Sequence, residues 1–125
     1  MLKLREAVEA SWDSKTSYLS VAEDGNPALG QCYPTSRVIQ HFFPNTEIVE
    51  GQIWTGVQTE KHFWNLLKSK DGSVYHVDLT WQQFPPGSIV KSYKIRDRET
   101  LGDGPATIRR VGLLLERVNA YFLNL

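Results

Sequence analysis

Two runs of strand-forming residues, Lys61 to Leu67 and Val74 to Leu79, flank the segment Ser69-Lys70-Asp71-Gly72-Ser73. Aspartate followed by glycine between such runs is a hairpin signal. The length of the turn then decides which side chains share a face. Alternate residues of a strand point to opposite sides, so a slip of one residue inverts the set. A three-residue loop, Lys70-Asp71-Gly72 with glycine in the left-handed position, pairs Ser69 with Ser73 and sets Asp78 opposite Trp64. Asp78 then lies diagonal to His62 on one face. A two-residue Asp71-Gly72 turn would send Asp78 to the other face. Glycine at the third loop position favours the longer turn.

A third strand-forming run, Glu47 to Trp54, precedes these two, separated by a loop holding Thr55, Gly56 and Thr59. Thr80 and Gln83 have the spacing of a capping box, which predicts a short helical turn through Trp81-Gln82-Gln83-Phe84. Pro85-Pro86-Gly87 ends it. Ile89 to Ile95 reads as a further strand or extended segment. Helical periodicity marks three other places. Leu4, Ala7, Val8, Ser11 and Trp12 open the chain. Val38, Ile39 and Phe42 define a second helix from about Tyr33 to Phe43, closed by Pro44. Gly104-Pro105 starts a last helix, with Ile108, Val111, Leu114 or Leu115, Val118 and Phe122 as its buried stripe. Asp13 to Leu29 is polar and broken by Gly25, Asn26 and Pro27, an irregular wrap. Helix, helix, strands, helix is the order of an α+β fold with an antiparallel sheet. With 125 residues and no repeat, the chain reads as one domain, residues 1–125.

The only cysteine lies in Gly30-Gln31-Cys32-Tyr33-Pro34-Thr35-Ser36, just before or within the first turn of the second helix. Pro34 suits a first turn, where its missing N–H has no intrahelical use. Free backbone N–H groups and the positive end of the helix dipole at such a place favour thiolate over thiol. Cysteine chemistry also needs a base that exchanges protons near neutral pH and a group that fixes the base's tautomer. The hairpin offers His62 for the first role and Asp78 for the second. His76 reads as a satisfied or surface histidine. His41 sits at a helix end, where a cation suits the dipole. Trp54, Trp64 and Phe63 read as core; Tyr33, Trp64 and Trp81 are candidates to line a pocket. For an oxyanion the first donor is the Cys32 backbone N–H. Asn26, the Trp12 indole and the Gln31 amide are candidates for the second.

Lysine plus arginine and aspartate plus glutamate both number 14, so net charge draws the chain neither to nucleic acid nor to an anionic membrane. No apolar run is long enough to span a bilayer. The N-terminal residues lack the apolar core of a signal peptide. A lone cysteine forms no internal disulfide, which points to a reducing, cytoplasmic setting. Cys32, His62, His76 and Asp78 could meet around zinc, but no Cys-x-x-Cys or His-x-x-x-His pair supports a metal, and no cofactor is expected.

Gly30-Gln31-Cys32 with aromatic Tyr33 resembles the nucleophile motif of transglutaminases, Gly-Gln-Cys-Trp. His62-Phe63-Trp64-Asn65, Asp71-Gly72 and Val77-Asp78-Leu79-Thr80 resemble that superfamily's His-x-Trp-Asn, turn and Val-Asp-Pro-Thr pattern, and the order Cys, His, Asp is shared with papain-like enzymes. Leu79 departs from its proline and Tyr33 from its tryptophan. Over roughly Ser11 to Phe84 and into the last helix, the chain resembles the bacterial YunG family of small proteins. The carriers are Ser11-Trp12, Thr16-Ser17, Asn26-Pro27-Ala28-Leu29-Gly30-Gln31-Cys32, His62-Phe63-Trp64-Asn65, Asp78-Leu79-Thr80 and Gln83-Phe84. These resemblances imply a minimal papain-like or transglutaminase-like core with the nucleophile helix packed on a small antiparallel sheet. They imply Cys32 as nucleophile, His62 as base and Asp78 as orienter. The expected partner is a small-molecule, peptide or protein acyl substrate. Hydrolase and amine transferase stay open, as does oligomeric state. A different class of reading is a non-catalytic protein-interaction module on the same fold. A third is an immunity or inhibitor protein in a bacterial conflict system, for which only small size and cytoplasmic character speak.

Overall fold

The computed structural model describes residues 1–19 and 25–125. Part of the irregular wrap expected over Asp13–Leu29 therefore lies outside the described residues. Among those described, the chain forms three α-helices and one four-stranded antiparallel sheet, an α+β fold. Helix α1 is Leu2–Ser11, α2 is Cys32–Phe42 and α3 is Pro105–Leu123. The strands are β1 Glu47–Trp54, β2 Thr59–Lys68, β3 Val74–Val77 and β4 Ile89–Arg96. They lie in the order β3-β2-β1-β4.

The hairpin closes as the three-residue loop requires. Ser69 N–H donates to Ser73 C=O at 2.9 Å, and Gly72 adopts φ +89°, where a β-carbon would be strained. The register that follows pairs Asn65 with Val77 and Leu66 with His76. β3 is short, so its pairing with β2 stops at Asn65, short of the part of β2 that holds His62. β4 returns across the sheet to the far side of β1, with a register shift between Gln52 and Ile53.

Burial follows the periodicities. Ala7 and Val8 of α1, Val38 and Ile39 of α2, and Leu114 and Val118 of α3 form one cluster with Leu79. Each buried valine, leucine or isoleucine among them contributes roughly 1.5–3 kcal/mol through area removed from water. A second cluster joins Val49 and Ile53 of β1 to Trp64 and Leu66 of β2, with Trp81 and Phe84 packed on it. Two expectations fail at the margins. Ile108 is 60% exposed, and its side chain borders a surface cleft with Arg37 and His41. Trp54, at the end of β1, is 38% exposed rather than core.

The capping box also differs. Trp81–Gln83 is a single 3-10 turn capped by Thr80 without a side-chain cap bond. Gln83 Nε2 reaches the Thr80 carbonyl at 3.0 Å, but the Thr80 hydroxyl turns the other way, toward Asp78.

Candidate active site

Cys32 is the first residue of α2, and Gln31 caps the helix with its backbone while its side chain makes no cap bond. Thr35 N–H closes the first intrahelical bond onto Gln31 C=O at 3.0 Å. Pro34 brings no N–H, so the unclaimed donors of this first turn are those of Cys32 and Tyr33. The turn leading in is held by Gly30 at φ +74°, where an added β-carbon would overlap Ser17 Oγ. Gly30 C=O accepts from Tyr18 N–H at 2.8 Å. Glycine is thus required both by the dihedral and by the close approach of Ser17.

His62 is fully buried on β2, and its Nε2–H donates to Asp78 Oδ2 at 2.7 Å. Asp78 lies one residue past β3, where the predicted register carries it to the His62 side. Its second oxygen accepts from Thr80 N–H at 3.1 Å and Thr80 Oγ1 at 3.3 Å. This Asx-type turn fixes the carboxylate before it meets the imidazole. The His62 ring is boxed by aromatic groups: Phe84 edge-on at 4.8 Å, Trp64 at 5.6 Å and Trp81 at 6.1 Å between centroids. Opposite His62, Gly51 of β1 leaves the space that the Trp64 ring fills.

With Nε2 bound to Asp78, the other ring nitrogen, Nδ1, is buried without a hydrogen-bond partner. The Cys32 sulfur lies near enough to stabilise the charged ring, though not in the geometry of a formed hydrogen bond. Burial, the largest influence on His62, pulls its pKa down; the bond to Asp78 and then the proximity of Cys32 outweigh it, and the pKa stands at about 9 against the ordinary 6.5. The ring is therefore an imidazolium at neutral pH, with both nitrogens as donors.

α2 and β2 are pinned together beside this site. Asn65 Nδ2, on the other face of β2, donates to Ser36 C=O at 3.0 Å, and Tyr33 packs edge-on against Phe63 at 4.8 Å. Those two contacts set where the helix start falls relative to His62.

The remaining candidates are placed as follows. The Trp12 indole N–H donates to Thr35 Oγ1 at 3.0 Å. Gln31 is buried, its Nε2 donating to Asp13 C=O at 2.9 Å and its Oε1 accepting from Thr16 Oγ1 at 2.9 Å. Both side chains thus hold the segment before the helix. Asn26 Nδ2 donates to Gln83 C=O at 3.1 Å, which ties this segment to the turn over His62, and one amide proton remains. Trp64 Nε1–H donates to His76 Nδ1 at 2.8 Å, so His76 supports the aromatic box and does not join Cys32. Trp64 and Trp81 line a cavity of about 370 Å³ that reaches Asp78. Tyr33 lines a second, of about 340 Å³, which opens on Cys32. Its hydroxyl donates to Asp103 Oδ1, and burial with that bond raises its pKa, keeping the phenol neutral.

Thr80 and Phe84 serve the site in ways the sequence reading missed. The Asp-x-Thr spacing at Asp78-Leu79-Thr80 carries the signal for the first. Nothing local carries a signal for the second, since Phe84 meets His62 only through the fold of the 3-10 turn.

Cys32 at a helix start and His62 bonded to Asp78 stand together in a small α+β protein. The family model of the YunG protein matches residues 1–122, and the chain belongs to that family. No curated protein and no solved structure matches it. Among the described residues no helix is long and apolar enough to cross a membrane.

Proposed function

We propose that this protein is a cysteine-nucleophile acyl-transfer enzyme. The observation that carries the reading is the His62 imidazole, held by Asp78 at 2.7 Å on one nitrogen, with its other nitrogen without a partner and the Cys32 sulfur close enough to act on the ring. The order Cys32, His62, Asp78 resembles the transglutaminase-like and papain-like enzymes, and that resemblance supports the same assignment of roles.

The chemistry has two halves. Cys32 Sγ attacks the carbonyl carbon of an ester, thioester or carboxamide, forming a C–S bond. The backbone N–H groups of the first turn face the developing oxyanion. As the bond to the leaving group breaks, His62 gives that group its proton. Water or an amine then attacks the thioester, gives a proton to His62, and frees Cys32. Asp78 holds the tautomer and steadies the imidazolium throughout. The step needs no cofactor. A cysteine kept as a thiol suits the cytoplasm.

Mixing the protein with 4-nitrophenyl butyrate and quenching in acid is expected to trap a butyryl adduct on Cys32 by intact mass and peptide mapping. The adduct is expected to be absent in Cys32→Ala and to form at least tenfold more slowly in His62→Gln, in line with typical general-base contributions of about 10²–10⁴. Equal nitrophenol release by wild type and Cys32→Ala, with no adduct, would sink the enzyme reading and leave the interaction module as the better account.

A further inference from the structure

We infer that the cavity opening on Cys32 takes acyl groups that carry a carboxylate; the inference rests on the acyl-transfer reading above and adds its substrate class. The cavity, about 340 Å³, is at the small end of ligand sites, so its lining chooses a compact group. Four charged side chains line it: Lys61 of β2, Arg96 of β4, Arg110 of α3 and Asp103. The one carboxylate is already balanced. Asp103 Oδ2 accepts from Arg37 Nε at 2.9 Å and its other oxygen accepts from Tyr33 OH. Arg96 is balanced in turn by Glu50 at 2.7 Å, outside the cavity lining. Lys61 and Arg110 form no ion pair among the described residues.

The cavity wall thus holds two positive charges with no internal counterion among the described residues, on elements that meet only in the fold. Tyr33, Phe63 and Pro34 supply its apolar part. A cation pair over apolar lining, beside a nucleophile, fits a short acyl chain whose far end is anionic. The carbonyl faces Cys32, and the carboxylate faces Lys61 and Arg110. A neutral chain of the same length would leave both cations without a partner. A cationic one would meet like charge.

Iodoacetate and iodoacetamide test this, because they differ only by the charge next to the reacting carbon. In either reaction the Cys32 thiolate forms the S–C bond and iodide leaves with the electron pair of the C–I bond; the proton stays on His62. The ratio of the iodoacetate to the iodoacetamide rate is expected to exceed that of free cysteine by about fivefold or more at low salt. It is expected to fall toward the free-cysteine value in the double variant Lys61→Gln, Arg110→Gln, and on raising the salt to about 0.5 M. If Cys32 reacts with both reagents at the free-cysteine ratio, and the ratio is unmoved by the double variant, the inference is overturned while the enzyme reading stands. If neither reagent reaches Cys32 in the native protein, both fall together.

Discussion

Folding stability is expected to drop by on the order of 3 kcal/mol as the pH rises from about 6.5 to about 9, and Asp78→Asn is expected to abolish that slope. The sign follows from His62. Its pKa is higher in the folded than in the unfolded chain, so folding takes up a proton in that window. The stabilisation is complete below the unfolded value of 6.5 and is lost as the pH climbs through about 9. The cause is the carboxylate on Nε2, helped by the Cys32 sulfur, acting against a burial that alone would favour the neutral ring. Asparagine keeps the shape but not the charge. Burial then dominates, and the ring is neutral when folded near pH 7. The variant loses most of its stability deficit at high pH and shows all of it near pH 6. Urea midpoints at pH 6, 7.5 and 9 read this directly. The same slope in wild type and variant would mean that Asp78 does not hold the charge on His62.

Gly30→Ala is expected to cost about 3 kcal/mol or more, with loss of the ordered helix start. Two effects add. A left-handed dihedral costs an alanine about 1–2 kcal/mol. Beyond that, its methyl would overlap Ser17 Oγ, and Ser17 is fully buried, so it has little room to move. Gly56→Ala separates the terms. Gly56 has φ +96° with open space around its would-be β-carbon, so only the dihedral cost of about 1–2 kcal/mol is expected there. Ser17→Gly in the Gly30→Ala background is expected to restore part of the difference. Equal losses at Gly30 and Gly56 would show that the close approach of Ser17 carries no weight. A total folding stability of about 5–15 kcal/mol makes the Gly30 loss a large share.

Local patterns carried the hairpin far. The glycine at the third loop position set the register, and the register placed Asp78 beside His62, so two thirds of the site follow from period two and one turn. The start of α2 was legible to within a residue from Pro34 and the spacing of Val38, Ile39 and Phe42, which point to about Tyr33; the helix begins at Cys32. What depended on distant packing was not. β4 lies beside β1 rather than beside β3, because its return across the sheet has no local mark, and its residues are mostly exposed. Thr80 had two uses within three residues, and the sequence gives no sign that its hydroxyl prefers Asp78 to the cap. Trp12 and Gln31 looked free for an oxyanion because their acceptors, Thr35 Oγ1 and the Asp13 carbonyl, are defined only once the segment before α2 folds back. The cations of the Cys32 cavity come from β2, β4 and α3, so no window of sequence contains them together.

The central claim is that His62 activates Cys32. The rate of Cys32 alkylation by iodoacetamide, followed from pH 5 to 10 in wild type and His62→Gln, tests it most directly. A thiolate–imidazolium pair predicts ready labelling of wild type at pH 6–7, a second change near about 9 as His62 loses its proton, and much slower labelling of the variant at pH 6–7. Identical curves for the two proteins, or labelling that waits for unfolding, would contradict the account.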